Sequence, residues 1–128
     1  MALFPCNAGG AGLKETVLWT NPNPTSELAG GSTQYELSAS LNNFDYVQVN
    51  WRTTTDATIY SAAFKPADVM ALTNPTVANA GFTYGDTLGT RVFNAPDDTH
   101  VRFGYCYAFA SANPVSTRCI PVTVVGLK

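Results

Sequence analysis

The chain has 128 residues, of which 45% are hydrophobic and only 12% charged, and its formal net charge is -2. This length suffices for one domain with its own core, and the apolar content excludes a wholly disordered chain. The small negative charge offers no attraction to nucleic acid or to an anionic membrane, and no apolar run approaches the roughly 20 residues of a membrane-spanning helix.

The first thirteen residues predict an extended N-terminal arm, followed by a single β domain over residues 14–128. The arm is rich in glycine, which is entropically costly to order, and it lacks the basic start of a secretion signal. We therefore expect synthesis in the cytoplasm without a signal peptide.

From Glu15 onward, short runs rich in Val, Thr, Tyr, Phe and Trp lie between clusters of Asn, Pro, Gly, Asp and Ser. This pattern is typical of an antiparallel β-sandwich or jelly-roll, which has about seven or eight strands. The predicted strands are residues 15–20, 33–39, 45–53, 57–64, 82–84, 90–94, 99–109 and 117–125. Helix is expected only at 66–72, where Pro66 and Asp68 favour a first turn.

Alternation of apolar and polar residues indicates which strand faces are buried, because successive side chains of a strand point to opposite sides. The clearest examples are the strands at 45–53, 99–109 and 117–125. The residues expected to be mostly buried are Val47, Val49, Trp51, Phe103, Tyr105, Ile120, Val122 and Val124.

The last two predicted strands favour a hairpin. In the register that matches their apolar faces, Phe103 lies opposite Val122, and Cys106 lies opposite Cys119 on the other face. We therefore expect Cys106 and Cys119 to face each other on adjacent strands, as thiols or as a disulfide according to the compartment. Pro121 has no N–H to donate, so its strand is expected at a sheet edge or with that bond position facing outward.

The residue types that commonly act in catalysis form no pattern that predicts an active site. The only histidine, His100, follows Asp97 and Asp98. A Ser–His–Asp relay with Ser111 or Ser116 is conceivable, but a polar turn explains the segment better, since a relay also needs an oxyanion pocket. One histidine and three scattered cysteines form no zinc pattern, and the aspartates lack the spacing of a calcium loop. We expect neither an enzyme nor a cofactor.

The aromatic residues offer an alternative function. Core packing explains most of the two Trp, six Tyr and seven Phe, which lie on strand faces. Exposed rings would instead suit a sugar-binding platform, and the candidates for ligand-facing positions are Tyr46, Tyr60 and Tyr84. The alternative function is therefore a carbohydrate-binding, adhesin-like module that recognises bacterial surface glycans.

Two segments near the ends of the β domain carry a family resemblance. They are LWTNPNPTS (18–26) and CIPVTVVGLK (119–128), accompanied by Phe44-Asp45, the Val47/Val49 alternation, Arg91 and Phe103-Gly104. Together they resemble the C-terminal β module of bacteriophage virion appendage proteins, namely tail fibres, capsid fibres and decoration proteins. The resemblance implies a virion structural protein, exposed on the capsid or in a fibre, that contributes to host attachment.

The resemblance also implies a homo-oligomer, with a trimer favoured, bound to other virion proteins. The low charge density agrees with this expectation, because a monomer of this size normally carries more charge for solubility. Fibre modules usually follow a longer shaft, whereas this chain starts with a short arm. The chain is therefore expected to be a small accessory protein of the capsid or tail, made in the host cytoplasm, rather than a receptor-binding tip. The arm, with Phe4, Pro5 and Cys6, would then attach the domain to a neighbouring protein; a disordered terminus is the alternative.

Overall fold

Strands provide most of the regular structure in the computed structural model, which describes residues 13–28, 30–52, 59–70, 81–84, 87–108, 113 and 116–128. The strands found there are β1 (Glu15–Thr20), β2 (Gln34–Glu36), β3 (Tyr46–Arg52), β4 (Ile59–Phe64), β5 (Gly81–Tyr84), β6 (Thr87–Asp97), β7 (His100–Ala108) and β8 (Ile120–Leu127). Within the same residues, helix is limited to a 3-10 turn at Leu41–Asn43 and to α1 (Pro66–Met70). The predicted all-β class is confirmed.

The strands form two four-stranded antiparallel sheets. The first sheet has the order β1-β8-β3-β4, and the second has the order β2-β7-β6-β5. One core cluster includes Val49 and Val124 of the first sheet together with Phe93 and Val101 of the second. Because both sheets contribute to one core, the domain is the predicted β-sandwich.

The centre of the first sheet follows the alternation seen in the sequence. Val47 and Val49 of β3 are fully buried, and Val49 lies opposite Val124 of β8. The intervening Gln48 points to the opposite face and is half-buried. Of the residues expected in the core, the structure confirms Val47, Val49, Trp51, Phe103, Ile120 and Val124.

A bulge in β1 turns two consecutive side chains towards the core. Val17 pairs with Val125 and Trp19 with Val124, so Leu18 is an extra residue in β1. Leu18 is buried, and the Trp19 ring lies 4.9 Å from Tyr35 and 5.5 Å from Phe103, both of the second sheet (centroid distances). The bulge thereby lets an edge strand of one sheet pack against the other sheet.

A second bulge, in β7, corrects one expectation about the core. The pairing of β6 with β7 passes from Arg91 opposite Cys106 to Phe93 opposite Phe103, so β7 contains one additional residue in this stretch. An additional residue reverses the alternation of side chains beyond it. Phe103 and Cys106 are therefore both buried, whereas Tyr105 is 44% exposed. The prediction that Tyr105 shares the buried face of Phe103 was wrong.

The predicted hairpin between the last two strands was also wrong. β7 belongs to the second sheet and β8 to the first, so Phe103 does not pair with Val122, and Cys106 and Cys119 are not on adjacent strands. Val122 is only half-buried rather than mostly buried. The apolar faces of β7 and β8 do meet, but across the sandwich, an arrangement that buries them as well as side-by-side pairing does.

Pro121 does not mark a sheet edge, because β8 lies between β1 and β3. The pairing of β3 with β8 shifts between Asn50 and Trp51, and Pro121 lies opposite Trp51 next to this irregularity. On the other side, the pairing with β1 ends at Thr123. The missing N–H is therefore accommodated where the regular ladder is interrupted.

Candidate functional site

The most unusual buried group is the side chain of Arg91 in β6, which is completely inaccessible to solvent. Its Nε donates to the carbonyl of Cys119 at 2.7 Å, and one Nη donates to the carbonyl of Gly104 at 2.9 Å. The other Nη donates to the carbonyls of Leu28 and Arg118, at 2.7 and 2.9 Å. We call this arrangement the Arg91 cluster. It joins β6 to β7, to the loop after β1 and to the segment before β8.

The electrostatics of the Arg91 cluster follow from burial. Loss of hydration lowers the pKa of the Arg91 guanidinium, and the neighbouring Cys106 and Cys119 act in the opposite direction. The four acceptors are carbonyl oxygens, which replace the water that the cation loses on folding. Since the guanidinium uses four of its N–H groups on backbone, the cluster is suited to crosslinking chain segments.

A glycine loop covers the bulge of β7. Gly30 has a φ of 92°, and a Cβ at this position would overlap the backbone carbonyl of Gly104. The next residue, Gly31, donates its N–H to the carbonyl of Phe103 at 3.2 Å. Only glycine permits both this left-handed backbone and this close approach. The loop therefore holds Gly104 where Arg91 can donate to its carbonyl.

The structure brings Cys106 and Cys119 together, although by a different route from the predicted hairpin. Both side chains are fully buried in one core cluster, and both are free thiols. A thiol–thiol hydrogen bond from Cys119 lowers the pKa of Cys106, which burial raises and Arg91 lowers further. The same bond raises the pKa of Cys119, and so does burial. Cys106 is therefore the thiol that deprotonates more readily.

The segment around His100 forms a polar turn between β6 and β7. His100 Nδ1 lies 2.9 Å from Asp97 Oδ1, which also accepts the backbone N–H of Thr99 at 2.8 Å. The hydrogen bond from His100 is the main cause of the lowered pKa of Asp97, followed by the bond from Thr99. Ser116 donates to Glu27 instead, at 2.8 Å. The structure thus does not bond Ser116 to His100, and Ser111 lies outside the described residues.

The predicted ligand-facing aromatics lie on different strands. Tyr46 in β3 is 36% exposed, and Tyr60 in β4 is 42% exposed with its ring stacked 6.3 Å from that of Trp51 (centroid distance). Tyr84 belongs to β5, where the structure describes the backbone but not the side chains. The attachment residues predicted in the arm, Phe4, Pro5 and Cys6, lie outside the described residues.

Sequence reasoning missed a pair of exposed rings on β7. Tyr105 is 44% and Tyr107 37% exposed, and their rings meet edge to face with centroids 6.4 Å apart. The signal that could have identified them is Gly104, because a glycine inside a strand often marks a bulge. A bulge at that point places both rings on the outer face of the second sheet. We call Tyr105 and Tyr107 the β7 tyrosine pair.

Within the described ranges, no three His, Cys, Asp or Glu side chains form a group that could hold a metal ion. None of the described helices is long and apolar enough to cross a membrane. No protein-family model, curated protein or solved structure matches the chain.

Proposed function

We propose that the chain is a bacteriophage virion structural protein, an exposed capsid decoration or fibre component that contributes to attachment to the host surface. The observation that supports this proposal most is the convergence of the residues that carry the family resemblance. These residues are spread from Leu18 to Lys128, and yet most of them contact one another in the fold.

The two end motifs are neighbours in the first sheet, since β1 pairs with β8. Asn21 continues this pairing: its side-chain Nδ2 donates to the carbonyl of Pro121 at 2.8 Å, and its backbone N–H donates to Val122 at 2.8 Å. Its Oδ1 accepts the N–H of Asn23 at 2.9 Å. Asn21 thus fixes both the end of β1 and the start of the turn that follows.

The single residues and residue pairs that accompany the two end motifs also make contacts within the fold. A Cβ at Gly126 would lie 2.5 Å from the ring of Phe44, so glycine is required for this ring to pack against β8. Arg91 donates to Gly104, and the Phe103 ring contacts Trp19. The pattern therefore describes one scaffold, which is what a shared module requires, and it leaves the outer faces free to differ between proteins.

The surface chemistry supports assembly with other proteins. Only 12% of the residues are charged, a fraction that suits a protein packed among neighbours better than a free monomer. In the described part of the chain, β1 and β4 are the edge strands of the first sheet and β2 and β5 those of the second. We propose a homo-oligomer, a trimer in the first instance, bound to other virion proteins.

The direct test is the composition of purified particles. Particles of a phage that encodes the chain are banded on a density gradient, quantified by mass spectrometry against the major capsid protein, and labelled intact with antibodies to the folded chain. We expect many copies per particle and labelling of intact particles. A phage replication protein from the same lysate is the control and should not band with the particles. A chain found only in the soluble lysate would refute the virion role.

Light scattering tests the oligomer separately. We expect a mass three times the 13.6 kDa of the chain. A variant that lacks residues 1–13 keeps β1 and the pairing of Lys14 with Lys128, so its sandwich should remain intact. If the arm engages a neighbour, this variant should lose the oligomer or its binding to particles that lack the protein. A full-length monomer that the deletion leaves unchanged in both assays contradicts the assembly role.

The β7 tyrosine pair favours glycan binding as a second candidate function. Adjacent exposed tyrosines present apolar ring faces with polar hydroxyl tips, which suits contact with a sugar ring and its hydroxyl groups. The test compares binding of Y105A/Y107A and Y46A/Y60A to surface polysaccharide of the host bacterium. Glycan binding on β7 predicts an affinity loss of at least about tenfold, equal to roughly 1.4 kcal/mol, in the first variant only. Equal losses, or unchanged binding in both, exclude this site.

A further inference from the structure

Two reactive groups near the Arg91 cluster have no part in the proposed function. Cys106 belongs to β7 of the second sheet, and Cys119 directly precedes β8 of the first sheet. Both side chains belong to the same core cluster, where each is 0% exposed. The two thiols therefore lie in the same solvent-excluded interior, one contributed from each side of the sandwich.

The backbone on both sides of this contact is held in place. Cys106 lies opposite Arg91 in the ladder between β6 and β7. Cys119 has a φ of 51°, and its carbonyl accepts from Arg91 Nε at 2.7 Å. One arginine thus positions both cysteines, and it places a positive charge next to the sulfur atoms. Such a charge stabilises the thiolate form, which is the reactive form of cysteine.

We infer that Cys106 and Cys119 form a redox pair, in which oxidation by a peroxide creates a disulfide that covalently links the two sheets of the sandwich. Both side chains belong to one buried cluster, and Arg91 is the neighbour of both residues, so bond formation requires a local approach of the two sulfurs rather than a rearrangement of strands. The burial of both sulfurs favours a small oxidant such as hydrogen peroxide over a bulky disulfide.

The chemistry proceeds in two steps. The thiolate of Cys106 attacks one oxygen of hydrogen peroxide, the O–O bond breaks, and hydroxide leaves and takes up a proton to become water. The sulfur of Cys119, having lost its proton, then attacks the sulfenic acid on Cys106. The S–S bond forms, the S–O bond breaks, and the second hydroxide leaves as water. In total, two thiols lose two electrons and two protons, and one peroxide is reduced to two waters.

The consequence is a more stable sandwich after the chain meets an oxidising environment. A crosslink restricts the unfolded chain, and for a closed loop of this length the stabilisation corresponds to a rise in the melting temperature of roughly 5–15 °C. Particles assembled in a reducing cytoplasm and released from the cell would acquire this gain without any change of fold.

The experiment uses the full chain with Cys6→Ser, which leaves Cys106 and Cys119 as the only thiols of the three cysteines. The folded protein is exposed to hydrogen peroxide and then unfolded for thiol titration, intact-mass measurement and trypsin digestion. We expect two thiols before and none after, a mass lower by two hydrogens, and one crosslinked product of peptides 103–118 and 119–128. The melting temperature should rise, and a reductant should reverse the change.

The matched control is C6S/C119S, in which peroxide should leave the melting temperature unchanged. The proposal is overturned if both peptides of the C6S protein stay separate, whether their thiols remain free or gain oxygen as sulfinic acid. It is equally overturned if the crosslink joins two chains, or if it forms without raising the melting temperature. Because the main measurement compares two states of one folded protein, poor folding of the control does not affect it.

Discussion

The inward and outward sides of β7 are formed by neighbouring residues, and yet they differ in burial and in the contacts that they make. On the inward side, Gly104 and Cys106 are buried, and the Gly104 carbonyl accepts from Arg91. On the outward side, Tyr105 and Tyr107 expose more than a third of their surface. Inward residues are therefore expected to determine stability and outward residues to determine binding.

Arg91→Met is expected to have the largest effect on the inward side. The substitution keeps an apolar side chain of similar length but leaves up to four carbonyls without their donor. Unsatisfied buried groups cost about 1–3 kcal/mol each, so we expect a loss on the order of 3–5 kcal/mol in the free energy of unfolding. Equilibrium urea unfolding measures it. Lys65→Met is the control, because the Lys65 side chain is exposed and its substitution should change the free energy of unfolding by less than about 0.5 kcal/mol. Equal losses would contradict the special role of Arg91.

Gly30→Ala tests the loop that covers the bulge. A Cβ at Gly30 would overlap the Gly104 carbonyl, whereas a Cβ at Gly31 would have its nearest neighbour 4.0 Å away, at the Tyr105 hydroxyl. Both residues have a positive φ, 92° and 130°. Backbone strain costs about 1–2 kcal/mol at either position, and the overlap adds about 1–3 kcal/mol at Gly30 alone. We expect Gly30→Ala to lower the melting temperature further than Gly31→Ala does; the reverse order would mean that the loop is not held against β7.

Asn21→Ala extends the comparison to a buried polar group without charge. The substitution leaves the Pro121 carbonyl without the side-chain donor and removes the acceptor for Asn23 N–H. We expect a loss of about 1–2 kcal/mol, smaller than at Arg91 because fewer buried groups lose a partner. Asn23→Ala is the control, since its side chain is exposed and should change stability by less than about 0.5 kcal/mol. Chemical denaturation of both variants distinguishes anchoring by Asn21 from a general effect of the turn.

The sequence predicted those parts of the fold that depend on local patterns. The bounds of β1, the end of β4, the buried face of β3 and the start of α1 followed from alternation and from Pro66. A strict period of two could not reveal the extra residue in β7, although Gly104 indicated it. Nor could matching faces distinguish a hairpin from two strands packed across the sandwich.

The candidate sites were harder to predict for a different reason. The partners of Arg91 are backbone carbonyls, which every residue carries, so no residue type in the sequence identifies them. The proximity of Cys106 and Cys119 was predicted from a pairing that does not exist, and it arises instead from the meeting of the two sheets. The exposed pair Tyr105 and Tyr107 depends on the bulge and was missed with it.

His100→Ala is expected to have the smallest effect, because its hydrogen-bond partner Asp97 is exposed to solvent. The hydrogen bond from His100 is the main cause that lowers the pKa of Asp97 in the folded state. A lowered pKa contributes stability above the pKa of the unfolded state, near 3.9, and this contribution is lost as the pH falls through the folded-state pKa. NMR titration should show the pKa of Asp97 rising in His100→Ala, and rising less in Thr99→Ala. An unchanged pKa in His100→Ala would show that this hydrogen bond does not persist in solution.

The opposite sides of β7 are tested most directly by hydroxyl-radical footprinting of the isolated chain, read residue by residue in the tryptic peptide 103–118. The bulge predicts rapid oxidation of Tyr105 and Tyr107, and protection of Phe103 and Cys106 even though cysteine is intrinsically the more reactive side chain. An unbroken alternation predicts the reverse at two positions, with Tyr105 protected like Phe103 and Cys106 oxidised first. That second outcome would contradict the bulge, the position of the Arg91 cluster and the assignment of the tyrosine pair to the outer face.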